Sequence, residues 1–265
     1  MRRLLIALSL AVTCSVAAQV PGPEDYVRYL IPLVQRDIKG ANGSVWTSEL
    51  RFRNRWDRDI PIIGALCSAL LDPPCSQVSN IPPDTTVTLP IQPRGDGADG
   101  AFLYVPIALV GPRPVITLHV RDTSKGAGGY GTQVVTPRID EYQAQIDLIA
   151  IPTDPRYRGT LRIYGNGAAP QLVRVRTYSE TDNNLLNSQV VPLSGIINIA
   201  FDPFPKHPAY AQIDAVPDSA RAADADRVRI VVDTPDAGEN PPLVWAFVTI
   251  TDNVTQLTST IAPNR

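Results

Sequence analysis

Hydrophobic and polar residues alternate with period two along much of this chain, most clearly over 46–54. Trp46, Leu50 and Phe52 share one parity, and Thr47, Glu49, Arg51 and Arg53 take the other. That pattern predicts a half-buried β-strand with an apolar inner face and a charged outer one. The same design returns at 157–164, where Leu161 and Ile163 alternate with Arg162 and Tyr164. Further strands are predicted over 26–34, 60–67, 87–91, 101–105 and 115–122. Pro32 suits an edge strand, where a missing N–H does little harm. The segments between these runs are turn-forming: 40–43, 54–59, 94–100 and 125–131.

Four segments of the first half recur in the same order in the second. The strand at 46–54 matches 157–164, and 81–91 matches 191–201, with Pro82 on Pro192, Asp84 on Ser194 and Val87 on Ile197. The strand ending at Asp122 matches 243–252, and 133–137 matches 259–263. Ordered self-similarity of this kind predicts a repeated unit. The expected fold is all-β, two tandem Ig-like antiparallel β-sandwich units related by duplication, over 26–138 and 142–263. The second unit is longer, with 218–226 and 233–242 as candidate surface insertions. No stretch shows a convincing amphipathic helix, and 26 prolines in 265 residues disfavour long ones.

Composition adds location. Arg2 and Arg3, an apolar run from 4 to 16 and the small residues Val16-Ala17-Ala18 read as a signal peptide over 1–18, cut near Ala18-Gln19. A short spacer follows at 19–25. A lipoprotein cut before Cys14 is the weaker alternative, because Thr13 is a poor residue ahead of it. The apolar run is too short to span a membrane, and no transmembrane segment is expected in the mature chain. The expected location is therefore the periplasm or the extracellular space. Removing Arg2 and Arg3 takes the formal charge from −2 to −4. A mildly acidic chain has no overall attraction to nucleic acid. Two cysteines then remain, Cys67 and Cys75, and in an exported protein they predict a disulfide. A loop this short gives about 2.6 kcal/mol in the chain-entropy treatment.

The strand Ala41-Asn42-Gly43-Ser44-Val45-Trp46-Thr47-Ser48-Glu49-Leu50-Arg51-Phe52-Arg53-Asn54 and the late segment Trp245-Ala246-Phe247-Val248-Thr249-Ile250-Thr251-Asp252-Asn253-Val254-Thr255 resemble the marks of a loosely described set of secreted bacterial proteins. In that set tandem β-sandwich units follow a signal peptide. The resemblance implies export and fold, and it transfers no catalytic residue. The Cys67–Cys75 loop is not part of the pattern.

Candidate chemistry is sparse. His119 alternates with Leu118 and Val120 and is expected to face outward; His207 sits in a Pro-Lys-His-Pro turn. Neither follows a nucleophile elbow or a zinc spacing, and the acidic residues form no recognisable catalytic pair. Arg94-Gly95-Asp96 is a common triplet, and Asp96 and Asp99 are the oxygen donors a calcium ion would use, in a loop without the EF-hand pattern. Asn42-Gly43-Ser44 and Asn253-Val254-Thr255 fit the glycosylation pattern and read as turns. Asp122 and Asp252 occupy matching strand ends suited to turn capping.

The main candidate is a set of outward side chains in the second unit: Arg162, Tyr164, Arg174, Arg176 and Tyr178. If the two strands that carry them pair as a hairpin, all five share one solvent face. Guanidinium groups beside phenols suit anionic or sugar ligands. Arg51 and Arg53 hold matching places in the first unit, and a charged face that merely protects a sheet from aggregation is the plainer explanation. These observations lead to a secreted, non-enzymatic protein with an interaction or structural role at the cell exterior and no cofactor. Its partner would be an extracellular glycan, polyanion or protein; a carbohydrate-binding or hydrolytic accessory enzyme is the alternative. Sequencing the exported protein is expected to start at Gln19, and thiol titration without reductant to find no free cysteine. A lipidated chain starting at Cys14 contradicts the first expectation, and two titratable thiols the second.

Overall fold

A computed structural model describes residues 22–40, 43–64, 78–90, 100–107, 113–126, 131–166, 171–194, 207–223, 225–235 and 242–263. The proposed signal peptide, both cysteines of the proposed disulfide, Asp96 and Asp99 lie outside these residues.

The first half carries β1 (Tyr26–Ile31), β2 (Ile38–Lys39), β3 (Val45–Arg53), β4 (Ile60–Gly64), β5 (Val78–Ile81), β6 (Thr86–Leu89), β7 (Ala101–Pro106), β8 (Val115–Asp122) and β9 (Thr132–Val134). The second carries β10 (Gln145–Pro152), β11 (Tyr157–Gly165), β12 (Gln171–Ser179), β13 (Leu185–Leu193), β14 (Ala209–Asp214), β15 (Arg227–Asp233), β16 (Val244–Asp252) and β17 (Thr258–Ile261). One helical turn, α1 (Asp218–Arg221), lies in the segment read as an insertion.

Among the described residues these strands form four antiparallel sheets. Sheet I has the order β1-β7-β4-β5, and sheet II the order β2-β3-β8-β9 with β6 also on β3. Sheet III runs β14-β11-β16-β17, and sheet IV runs β10-β15-β12-β13. Among the described residues no sheet mixes strands from the two halves. Sheets I and IV share one order, and the path β6-β3-β8-β9 in sheet II has the order of sheet III, with β6 in the place of β14. The register agrees too: Trp46 stands opposite Asp122 in sheet II, and Tyr157 stands opposite Asp252 in sheet III. The last echo is displaced by one residue. Leu118 pairs with Val134, while Val248 pairs with Ile261, so Val134 rather than Val135 corresponds to Ile261. A one-residue shift exchanges the two faces of a strand, and burial of Val134 fixes which one points inward.

The alternation read from the sequence is physical. Leu50, Phe52, Leu161 and Ile163 are all fully enclosed, whereas Arg51 and Arg53 are exposed and ion-paired to Glu49 and Asp84. β1 is an edge strand, as Pro32 suggested. Asn54 closes β3 and is completely buried. Its Nδ2 lies 2.8–2.9 Å from the carbonyls of Arg58, Ile81 and Pro82, and its Oδ1 accepts from the Trp56 amide at 2.9 Å. Asp122 does the same work at the end of β8, where Oδ1 accepts from the Val45 and Ser124 amides.

Sheet III is covered on both faces. Tyr164, on its outer face, is fully buried; it stacks on Tyr210 and Phe247 at centroid distances of 6.2 and 6.4 Å and tilts against Trp245 at 6.1 Å. Its hydroxyl donates to the Pro32 carbonyl, which belongs to the first half. Gly100, with φ +71°, presses against the Tyr164 ring and the Ile31 carbonyl, so a Cβ there would meet both. His207 Nδ1 donates to the Gly100 carbonyl at 2.9 Å. Arg28 lies 4.6 Å over the Phe102 ring and donates to Asn166 across the junction. Nearby, burial pushes the Tyr142 phenol far above its ordinary range despite the opposing charge of Arg28. Further along, Thr132 donates to the Thr258 carbonyl, setting the edge strands β9 and β17 side by side.

Asn54→Ala is expected to cost about 3 kcal/mol or more, since several buried backbone groups lose partners at about 1–3 kcal/mol each. Tyr164→Phe is expected to cost about 1–3 kcal/mol through the orphaned Pro32 carbonyl, and Tyr164→Ala about 3–5 kcal/mol. Urea titration of each variant measures these losses.

Candidate functional site

The five side chains expected on one face are divided between two sheets. β11 belongs to sheet III and β12 to sheet IV, and the two strands do not pair. The reason lies in the apolar parities. Leu161 and Ile163 on β11 and Val173 and Val175 on β12 fill one core from opposite sides, so the polar parities of the two strands point away from each other. Arg162 and Tyr164 therefore face the first unit, with Tyr164 enclosed. Arg174, Arg176 and Tyr178 line the open face of sheet IV. The hairpin arrangement is corrected accordingly.

On sheet IV the remaining three side chains are joined by residues the sequence reading had passed over. Arg174 stands opposite Asp233 on β15, and Tyr178 stands opposite Arg229. Arg174 grips Asp233 with two bonds, Nε to Oδ1 at 2.9 Å and a terminal nitrogen to Oδ2 at 3.1 Å. Arg176 donates to the same Oδ2 and to the Tyr178 hydroxyl, the latter at 3.0 Å. Arg229 lies 4.7 Å over the Tyr178 ring and donates to Asp147 and Asn183, each at 2.7 Å. Asp233, which the sequence places at the start of a candidate insertion, is the last residue of a strand and is buried. Arg227 and Arg229 alternate with the buried Val228 and Ile230, which puts Asp233 on the polar parity of the strand, although Val231 on that parity is apolar and buried.

Around this row stand Ile149, Leu172, Leu185 and Val190, between 47% and 56% exposed. Leu172 shares its parity with Arg174, and Val190 is the direct neighbour of Arg174 on β13. Ile149 precedes Ala150, which takes φ +60° at the bulge of β10 and donates its amide to Glu180. The face thus combines three guanidinium groups, two carboxylates that hold them still and an apolar margin. Fixed planar guanidinium groups recognise carboxylates or carbonyls with little further loss of entropy.

Arg162 lines a separate cleft between the halves, together with Arg158 and several threonines. Arg162 donates to Thr249 Oγ1 at 2.8 Å. Close by, Asp252 accepts from Arg156 and from the Val254 and Thr255 amides. The Arg156 hydrogen bond, aided by those amides, holds its carboxyl well below the usual carboxylate range. The other histidine, His119, stands opposite Glu49 on the open face of sheet II. Among the described residues no group of three or more His, Cys, Asp or Glu is placed to hold a metal ion, and no helix is long and apolar enough to cross a membrane.

No family model, no curated protein and no solved structure matches this chain.

Asp233→Asn weakens three charge-assisted bonds at once. The arginine side chains keep 40% and 27% exposure, and solvent screening limits the effect; the expected loss is about 1–3 kcal/mol by chemical denaturation. Asp252 predicts a pH dependence. A depressed carboxylate stabilises the fold above its unfolded pKa of about 3.9 and loses that contribution as pH falls towards the folded value. Arg156→Gln is therefore expected to melt lower than the parent chain at pH 7, with the gap closing below about pH 4. A gap that stays constant over that range counts against the ion pair.

Proposed function

We propose that the protein is a non-enzymatic binding protein of the cell exterior that takes a protein partner on the open face of sheet IV. The observation that carries this reading is the braced row of Arg174, Arg176, Tyr178 and Arg229 inside a margin of exposed aliphatic side chains. Arginine and tyrosine are the residues that dominate protein interfaces, and an apolar margin excludes water around them. Bonds to Asp233 and Asp147 hold the guanidinium heads in place before any partner arrives, which lowers the entropy lost on binding. A charged face that served only for solubility would not need Leu172 and Val190 beside its arginines. Location at the cell exterior is supported by the signal-like first residues and by the close-set cysteine pair. Descent of the two halves from one unit is supported by their matching strand orders and by the equivalent places of Asp122 and Asp252.

Binding of the mature chain to the envelope fraction of its source cells, measured by co-sedimentation, tests the reading. The doubly substituted Arg174→Ala/Leu172→Ser chain, whose melting transition reports folding, is expected to lose that binding by tenfold or more. Equal binding by parent and variant contradicts the proposal. A melting-temperature rise with sulfated polysaccharide, abolished by the same variant, would replace the protein partner with a polyanion.

A further inference from the structure

A cleft of about 120 Å³ lies where the outer face of sheet III meets the first sandwich. Its floor is ordered by strand register. Thr160, Thr249 and Thr260 form one row across β11, β16 and β17, and Arg158, Thr251 and Thr258 form the next. Residues two apart on a strand share a face about 7 Å apart, so Arg158 and Arg162 stand on either side of Thr160. The opposite wall is Leu33, Gln35, Trp46 and Val120 from the first half. The site exists only because the two halves meet.

The electrostatics of this cleft differ from those of sheet IV. Of the described residues that line it, two are arginines and none is acidic. Asp252, at the end of β16, is turned to Arg156 and to its own turn. Asp214, opposite Thr160 on β14 and so on the same face, lines an adjoining hollow that shares Arg158 with the cleft and is not among the cleft's own lining residues. The hydroxyls supply directional donors: Thr249 is bonded to Arg162, and Thr251 lies 3.1 Å from Thr258.

We infer that this cleft is a binding site for a small oxyanion, a carboxylate, sulfate or phosphate group, held between Arg158 and Arg162 over the threonine floor. The paired N–H donors of a guanidinium match two oxygens of such a group, planar or tetrahedral, and partial withdrawal from solvent strengthens the attraction. The narrow volume admits the charged group and little more, so a free ion and the acidic group of a small sugar are the two sources of this chemistry.

Calorimetric titration of the full chain at constant ionic strength tests the site, with sulfate, phosphate, glucuronate and glucose as probes. The expected result is one saturable site per chain for at least one of the three anions and none for glucose. Tighter binding of glucuronate than of sulfate or phosphate assigns an acidic sugar, and the reverse assigns a free ion. Arg158→Gln and Arg162→Gln are each expected to weaken binding tenfold or more, while Arg227→Gln, exposed at the start of β15, leaves it unchanged. Circular dichroism and the melting transition confirm that each variant is folded. The inference is overturned if none of the anions saturates, if Arg158→Gln binds within twofold of the parent chain, or if Arg227→Gln is as damaging.

Discussion

The structure depends on how the outer face of sheet III is covered. Tyr164, Trp245, Phe247 and Tyr210 lie on that face, and such a surface cannot remain in water without drawing association. The first half covers it with the Pro32 carbonyl, the backbone at Gly100 and the side chains around Arg28. Each aromatic side chain carries roughly 150–250 Å² of surface, so withdrawing this face from water adds to the stability that the cores supply. The junction also places Arg158 and Arg162 opposite Trp46 and so creates the cleft. An arrangement that let the halves move freely would lose both.

Inner faces were legible because period-two alternation is a direct consequence of strand geometry. Leu50, Phe52, Leu161 and Ile163 point where their parity says they must. Outward parity, in contrast, means only the far side of a sheet, and in a chain with two units the far side need not be solvent. Tyr164 shows the difference. A sign was present at 244–248, where Val244, Ala246 and Val248 are apolar on one parity and Trp245 and Phe247 on the other. A strand that is apolar on both parities is covered on both faces.

Partner choice between strands was harder to read. A short connection from β11 to β12 suggests a hairpin, yet in a sandwich consecutive strands often cross between sheets, and only tertiary packing decides. Asp233 was obscured for a related reason. Its neighbours over 234–242 are turn-forming, and the carboxylate acquires its role only when β12 sets Arg174 and Arg176 beside it. The two arginine sites consequently differ in character. On sheet IV the acidic neighbours Asp233 and Asp147 hold the cations in place, whereas the described residues lining the cleft include two arginines and no acidic side chain.

Differential scanning calorimetry of the unmodified chain tests the central claim most directly. If the aromatic face of sheet III couples the sandwiches, the chain unfolds in one transition whose calorimetric and van't Hoff enthalpies agree. Two separable transitions, or a calorimetric enthalpy well above the van't Hoff value, would show that the halves unfold independently and would contradict the account.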